Sequence, residues 1–245
     1  MRLRIAFSKT GALRYTGHLD LHKLWERTAR RAGLPLTYSQ GFHPQPKIQL
    51  AAALPLGFSG RAELVDIWLD AESADTESAD AESADSSLRE SEAGRLRTPD
   101  IQIALQQAAP PGLGILKVEE VDARAPALQT QVVSAEYEVT LLDPADGSDL
   151  TRRLSAIMEA ESLPRQRRGK SYDLRPLIEE LALTPCSSPT PRLSSGKVES
   201  GVGVRIFMRL AAREGATGRP EEVLDVLGIR FEATRIERSR LILKS

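Results

Sequence analysis

Residues 2–32 read RLRIAFSKTGALRYTGHLDLHKLWERTARRA, and this stretch contains two different hydrophobic periods. Alternate residues from Leu3 to Phe7 are apolar, which is the pattern of a half-buried strand. From His18 to Ala32 the apolar residues instead recur every three or four positions, which predicts an amphipathic helix that ends at the following glycine. The chain therefore begins with a strand and then a helix.

Similar patterns continue along the rest of the sequence. In the first half they predict strands at Ile48–Ala53, Glu63–Leu69 and Ile115–Val121 and a helix at Asp100–Ala108. In the second half they predict strands at Tyr137–Leu142, Val204–Leu210 and Ile236–Leu243 and helices at Leu150–Glu161 and Pro220–Leu227. We therefore predict an α+β protein of two tandem ferredoxin-like (βαββαβ) halves with antiparallel sheets, residues 1–130 and residues 131–245.

The composition is typical of a globular protein, with 41% apolar and 27% charged residues in a chain of 245. Its single cysteine, Cys186, excludes an internal disulfide and cannot supply the thiolates of an iron–sulfur cluster. The amino terminus does not continue as a signal peptide, and no stretch approaches the ~18 apolar residues of a membrane span. We therefore expect a cytoplasmic protein without a membrane segment and without a cofactor of its own.

Acidic residues are concentrated in one segment, residues 71–97. Residues 71–85 of this segment read AESADTESADAESAD, three copies of a five-residue unit. The whole segment holds eight acidic residues against three arginines, a net charge of −5. Such a run without apolar periodicity cannot offset the entropy of ordering, so we expect a disordered acidic insertion.

Basic residues are concentrated at the amino terminus and in one later segment. Residues 1–50 carry nine lysines and arginines against two acids, and residues 165–175 carry five cations and a tyrosine. Residues 215–222 are not basic, but main-chain amides and Arg219 at the start of the predicted helix at Pro220 could hold an anion. Glu221 and Glu222 in the first turn argue against this. Cations beside aromatic rings suit binding of a single-stranded nucleic acid, although a solvated basic surface gives the same pattern.

The sequence YSQGFHPQPK at Tyr38–Lys47 combines a hydroxyl, an amide, an imidazole and a cation between one glycine and two prolines. This mixture suits a binding loop, and a polar hairpin is the alternative interpretation. All three histidines lie between His18 and His43, and His18 and His22 share a helix face. Because no other ligand pair occurs at suitable spacing, we expect no metal site.

Residues 7–57, 165–178 and 215–228 resemble, in this order, signature segments of the radical SAM-associated (radical SAM-linked) protein family, a bacterial domain of unknown function. The resemblance covers nearly the whole chain except the acidic segment and a serine- and proline-rich stretch before Gly201. In that family the domain is fused to, or encoded beside, a radical SAM protein with a cobalamin-binding-like region, often near a ribonuclease of the E/G type. The resemblance therefore implies a stand-alone partner of such an enzyme.

The candidate binding residues follow from the resemblance and from the basic segments. Those on the family's motif positions are His18, Asp20, Tyr38, Ser39, Gln40, Gly41, His43, Pro44 and Lys47. Those from the basic segment at 165–175 are Arg165, Arg167, Arg168, Lys170 and Arg175, and Arg219 comes from the segment at 215–222.

Three functions are compatible with these residues. The first is a non-catalytic partner that binds RNA and presents it to the radical SAM enzyme. The second is a metal-independent endoribonuclease, because tandem ferredoxin-like halves with a histidine, a tyrosine and lysines resemble the repeat-processing CRISPR ribonucleases in architecture. Its general base would be His43 or His18, and Lys47 would stabilise the phosphorane. The third is a protein scaffold for the radical SAM enzyme.

Overall fold

The computed structural model of the protein describes residues 1–70, 97–167, 169–185 and 204–244. It has few helices and a large, mostly antiparallel sheet, which confirms the predicted α+β class. The chain divides into two compact units, which we call unit 1 (Met1–Leu56 and Ala62–Gln129) and unit 2 (Gly57–Arg61 and Thr130–Ser245). None of the helices in these described ranges is long and apolar enough to cross a membrane. The predicted acidic insertion lies outside the described residues, apart from Arg97.

Unit 1 contains four strands and two main helices. In chain order they are β1 (Arg2–Lys9), α1 (His18–Arg31), β2 (Ile48–Leu50), β3 (Ser59–Trp68), α2 (Thr98–Ala108) and β4 (Leu113–Val121). The first three residues of β3 belong to unit 2. The strand order is β4-β1-β3-β2, in which β4 is antiparallel to β1 and β2 is antiparallel to β3. A 3-10 turn, Gly11–Tyr15, precedes α1, and a short helix α3, Leu128–Gln131, follows β4.

The core of unit 1 is built by the two hydrophobic periods of residues 2–32. Leu3, Ile5 and Phe7 of β1 are fully buried, and Trp25 of α1 packs edge-on against Phe7 with ring centroids 4.9 Å apart. The helix ends before Gly33, whose φ of +70° is readily adopted only by glycine. The predicted strand and helix are therefore confirmed.

The other face of β1 carries the half-buried residues Arg4, Ala6 and Ser8, but its first residue, Arg2, is buried. Arg2 is 1% exposed and donates from Nε and Nη2 to Oδ2 of the buried Asp66, at 3.0 and 2.6 Å. Arg4 donates to Oδ1 of the same carboxylate at 2.9 Å, and Arg2 also donates to the carbonyl of Ala125 at 2.6 Å. The burial of Arg2 is an exception to the alternation, and hydrogen bonds to Asp66 and to the main chain replace its contacts with water.

Unit 2 contains seven further strands and two further helices. In chain order they are β5 (Val132–Leu141), α4 (Gly147–Glu159), β6 (Pro164–Arg167), β7 (Lys170–Asp173), β8 (Ile178–Pro185), β9 (Val204–Arg213), β10 (Ala216–Thr217), α5 (Pro220–Val226) and β11 (Thr234–Leu243). The order β8-β9-β5-β11 is antiparallel throughout, and β10 is a short strand that pairs with β9. Strand β11 also pairs in parallel with the start of β3 at Ser59 and Gly60.

Helix α4 begins where the sequence supplies a capping carboxylate. The Oδ1 atom of Asp146 accepts a hydrogen bond from the main-chain N–H of Ser148 at 2.9 Å. Asp149 lies in the first turn, where a negative charge is favourable to the helix dipole. Leu150, Leu154 and Ile157 are buried at three- and four-residue spacing, as the sequence predicts.

Candidate nucleic-acid interface

The Tyr38–Lys47 loop of unit 1 is a hairpin with a hydrogen-bonded stem and a solvent-exposed tip. Tyr38 and Pro46 form an antiparallel bridge, and the main-chain N–H of Ser39 donates to the Gln45 carbonyl at 2.8 Å. In return, the N–H of Gln45 donates to Oγ of Ser39 at 3.0 Å. Residues 40–45 at the tip are exposed. The stem is therefore held by its own polar groups, and Ser39 has a structural role.

Phe42 lies at this tip and is completely exposed, with a relative accessibility of 102%. It follows Gly41, whose φ of +133° lies in a region that other residues rarely adopt. No other large apolar side chain among the described residues is so exposed, since the next is Leu19 of α1 at 76%. Sequence reasoning passed over Phe42 because it favoured the polar residues around it, although the Gly-Phe-His sequence at a loop tip was a usable signal.

Tyr38 lies on the stem and not at the tip, and it is half-buried. Its hydroxyl accepts hydrogen bonds from Nε and Nη2 of Arg30 at 3.2 and 2.8 Å, and Arg30 also pairs with Glu26 at 2.8 Å. The hydrogen bond with Tyr38 raises the pKa of Arg30. Tyr38 therefore connects the loop to α1 and is not available for stacking on a base.

Charged and polar side chains stand on both sides of the tip. His43 and Lys47 are exposed, and Gln40 is exposed at the start of the tip. The main-chain N–H of Lys47 donates to the Thr37 carbonyl at 2.8 Å, which fixes the backbone of Lys47. Its side chain extends into solvent. The loop thus presents an aromatic ring, an imidazole and a cation to solvent.

The remaining motif residues of unit 1 lie at the start of α1. His18 is the first residue of the helix and Asp20 lies in its first turn, and both are exposed. Nε2 of His22 lies 3.2 Å from the carbonyl oxygen of Ile48, the residue after Lys47. His22 is thus engaged with the main chain. In the part of the chain that the structure describes, no group of three or more His, Cys, Asp or Glu residues is placed to hold a metal ion.

The basic segment of unit 2 is a β-hairpin, formed by β6 and β7, and not a loop. Its four residue pairs run from Pro164 opposite Asp173 to Arg167 opposite Lys170, and Gly169 with φ +76° makes the turn. The sequence predicted neither strand, because neither has an apolar face that a hydrophobic pattern could reveal. Arg168 lies outside the described residues.

Three side chains of the 165–175 segment already make contacts within unit 2. Arg165 pairs with Asp225 of α5, and the Tyr172 hydroxyl donates to Glu222 of the same helix. Burial, together with this hydrogen bond, raises the pKa of Tyr172 to about 12. Arg175 donates to the carbonyls of Met158 and Ile178, from Nη2 at 2.7 Å and from Nη1 at 2.9 Å. The prediction of RNA contacts from these residues overlooked acids and carbonyls that are distant in sequence.

Fewer cations of unit 2 remain accessible than the sequence suggests. Arg167 is half-buried near the tip of the hairpin, Lys170 is exposed there, and Arg219 is half-buried at the start of α5. On the sheet of unit 2, Glu136 is only 8% exposed and pairs with Arg240 at 2.6 Å and with Arg209 at 2.8 Å. The hydrogen bond from Arg240 lowers the pKa of Glu136. Glu136 thus pairs with two arginines of this sheet, Arg209 and Arg240.

Comparison with protein families adds one positive finding. The model of a family described as an uncharacterized protein conserved in bacteria (DUF2344) matches residues 2–90 and 76–220. The chain belongs to the DUF2344 family. This agrees with the bacterial domain of unknown function that the sequence resembles. The matched residues include the Tyr38–Lys47 loop, α1 and the hairpin.

Other comparisons say less about this DUF2344 protein. No curated protein matches it. One solved structure similar to it is a chain from "Crystal Structure of a Cbf5-Nop10-Gar1 Complex", with a TM-score of 0.45 and 10% identity over 98% of this chain. The alignment covers 48% of that other chain, so the DUF2344 protein spans about half its length. No functional conclusion follows from similarity at this level.

Proposed function

We propose that this DUF2344 protein is a non-catalytic partner that binds single-stranded RNA and presents it to a radical SAM enzyme. The enzyme would be of the type with a cobalamin-binding-like region, as the resemblance to the radical SAM-associated family implies. A cytoplasmic location is part of the proposal, because a chain with a single cysteine has no internal disulfide and suits a reducing compartment. The observation that carries the RNA-binding part is the exposed Phe42 ring on its braced loop.

An exposed phenylalanine on a fixed stem is suited to stacking on an unpaired base. A base stacked on an aromatic side chain contributes about 1–3 kcal/mol and tolerates any sequence, because every base has a π face. The stem hydrogen bonds at Ser39 and Gln45 hold the backbone before binding, so less entropy is lost when the ring is covered.

The excess of positive charge in residues 1–50 favours a polyanion. These residues carry nine lysines and arginines against two acids, and Lys47 of the loop is exposed, as are Lys23 and Arg27 of α1. Contacts between such cations and phosphates supply affinity that does not depend on sequence. A ring for bases beside cations for phosphates is the combination that single-strand binding requires.

A binding role is favoured over the ribonuclease alternative by the surroundings of His43. A general base is normally oriented by a hydrogen bond from a second group. Among the described residues, none makes a hydrogen bond or an ion pair with the His43 ring or with the Lys47 ammonium group. Both side chains are exposed, which suits contact with a ligand more than pre-organised proton transfer.

We further propose that units 1 and 2 are the two ferredoxin-like halves, 1–130 and 131–245. The strand orders support this, because β4-β1-β3-β2 in unit 1 has its counterpart in β11-β5-β9-β8 of unit 2. Each set is made of strand, helix, two strands, helix and strand in chain order, with the β6–β7 hairpin inserted in the second. This fold hosts many functions, so the proposal for RNA rests on the loop and not on the fold.

Binding of labelled single-stranded RNA to the full chain tests the proposed function. Phe42→Ala is expected to weaken binding by about 1–3 kcal/mol, and Phe42→Trp is expected to retain it. The matched control is Leu56→Ala, which removes a 61% exposed apolar side chain of unit 1 outside the loop and is expected to leave affinity unchanged. Equal affinity of wild type and Phe42→Ala would refute the assignment of the loop.

Two further measurements separate the three candidate functions. Incubation of labelled RNA with the wild-type protein in EDTA is expected to leave the RNA intact, and cleavage that His43→Ala abolishes would establish the nuclease instead. Mass spectrometry of what co-purifies with the tagged protein is expected to find both RNA and a radical SAM protein. A radical SAM protein without RNA, together with no RNA binding at low salt, would leave the scaffold function.

A further inference from the structure

Unit 2 has a groove between α4 and β8 that the proposed function does not use. Its volume is ≈ 450 Å³, within the roughly 300–1,000 Å³ typical of ligand sites. Leu154 of α4 forms part of its floor and is buried, whereas Met158, Leu181 and Leu183 are only half-buried. Apolar surface that folding leaves partly uncovered is available to a ligand.

One wall of the groove is the edge of a sheet. Within the described residues β8 pairs with β9 on one side only. Leu181 and Leu183 lie opposite the fully buried Met208 and Ile206 of β9, so they point to the same, inner face as α4. The main chain of β8 thus presents every second N–H and C=O beside an apolar floor.

The edge strand of unit 1 shows how this protein protects an edge. The carbonyl groups of Leu116 and Ile115 in β4 accept hydrogen bonds from the side-chain amides of Gln102 and Gln106 of α2, each at 3.3 Å. By contrast, no described side chain hydrogen-bonds to the main chain of residues 180–184 in β8. Residues 180–184 of β8 therefore lack the side-chain hydrogen bonds that Ile115 and Leu116 of β4 receive.

The rim of the groove favours a cationic occupant. Among the described lining residues Glu159, at the end of α4, is the one charged side chain, and it is exposed. Its carboxylate makes no hydrogen bond or ion pair with the residues that the structure describes. The hydroxyls of Thr151 and Ser155 also line the groove. A lysine or arginine of a ligand that lies along this wall is therefore complementary in charge to Glu159.

We propose that the α4–β8 groove binds an extended peptide segment of a partner protein by strand addition to β8. The segment has apolar residues at alternate positions, which enter the groove, and a lysine or arginine that pairs with Glu159. Main-chain hydrogen bonds to the edge supply affinity, and the apolar pockets with the carboxylate supply specificity. This site does not depend on the proposed RNA binding in unit 1.

The test uses the full chain and random decapeptides displayed on phage. Selected peptides are expected to alternate apolar and polar residues and to contain a lysine or arginine. Ser155→Arg, which places a bulky cation in the groove from an exposed helix position, is expected to weaken their binding at least about tenfold. The matched control, Ala156→Arg, changes an exposed neighbour that does not line the groove and is expected to bind as wild type does.

Strand addition itself has its own readouts. A synthetic selected peptide is expected to protect the β8 amides from hydrogen exchange, and N-methylation of one alternate set of its amides, but not of the other, is expected to abolish binding. Glu159→Gln is expected to weaken binding by about two- to fivefold and to reduce its salt dependence.

Five outcomes overturn the proposal, and the first four concern the chain as it is. They are failure to enrich peptides, equal binding by Ser155→Arg, indifference to N-methylation, and a wild-type dimer that Ser155→Arg converts to monomer, which would assign the groove to a second copy. Peptide binding that occurs only after residues 188–201 are replaced by a short linker would also overturn it, because the chain's own segment would then be the occupant.

Discussion

Asp66 accepts hydrogen bonds from two arginines inside unit 1, and it has no exposed surface. Removing one partner of a buried ion pair costs more than the pair itself contributes, because the remaining charge is left uncompensated. The guanidinium groups of Arg2 and Arg4 share this one carboxylate. Neutralising Asp66 therefore leaves two arginines without their acidic partner.

We predict that Asp66→Asn lowers the free energy of unfolding by about 3–5 kcal/mol. Urea denaturation of the full chain measures the loss. The fluorescence of Trp25 and Trp68 monitors it, because both tryptophans lie in unit 1. The control is Asp100→Asn, which breaks an exposed pair with Arg97 at 3.8 Å and is expected to change stability by less than about 0.5 kcal/mol. Should Asp66→Asn not fold, Arg4→Met is expected to give a smaller, measurable loss. Similar values for the Asp66 and Asp100 variants would contradict the prediction.

At the scale of elements, the sequence predicts those whose apolar spacing is regular. Helix α1 (His18–Arg31) and strand β1 have clear periods and are confirmed, and α4 begins three residues before its predicted start because its cap lies outside the apolar pattern. Strand β8 was missed because a bulge between Ile178 and Glu180 breaks the alternation of its side chains. An irregular register removes the period on which the prediction depends.

Tyr172 connects the β6–β7 hairpin to α5 through its hydrogen bond to Glu222, and the pKa of its hydroxyl reports on this contact. Because the pKa of Tyr172 is raised to about 12, its hydroxyl should ionise only in strongly alkaline solution. The stabilisation by its protonated hydroxyl is present below the unfolded pKa of about 10 and is lost as the pH rises through about 12.

We predict that the titration at 295 nm loses a step near pH 12 in Tyr172→Phe. In Glu222→Gln the pKa of Tyr172 is expected to fall, because the carboxylate that favours the protonated phenol is gone. Tyr15→Phe, at a 63% exposed tyrosine, serves as the control and should keep that step. A step near pH 12 that is unchanged in Tyr172→Phe would exclude this assignment.

At the scale of the whole molecule, net charge is a poor guide to the binding surface. The sequence placed RNA contacts on the basic segments of both units, but Arg165 and Arg175 are engaged by Asp225 and by carbonyl groups. Such partners are brought together by folding and are invisible to sequence spacing. The Tyr38–Lys47 loop was more predictable, because its glycine, prolines and exposed polar residues are contiguous.

The acidic segment gives a prediction about the stability of the whole chain. Replacing residues 72–95 by a short glycine–serine linker is expected to leave the thermal midpoint unchanged, because the segment has no apolar pattern to contribute to a core. Calorimetry of the two proteins measures this. A fall of several degrees, where about 1 kcal/mol shifts the midpoint by ~2–4 °C in a chain of this size, would show that the segment packs.

Salt dependence of RNA binding shows which unit contacts phosphates. Each phosphate contact on a single strand contributes about 0.7 to the slope of log K against log[salt]. Lys47→Gln is expected to lower the slope by up to this amount. Phe42→Ala is expected to reduce affinity at nearly constant slope, since a phenylalanine side chain carries no charge and releases no counterion. The double variant Arg167→Gln, Lys170→Gln tests the hairpin in the same way. The control is Arg152→Gln, at an exposed position of α4. If neither the Lys47 variant nor the hairpin variant changes the slope, the RNA does not contact either basic segment through these cations, and the proposed interface is wrong.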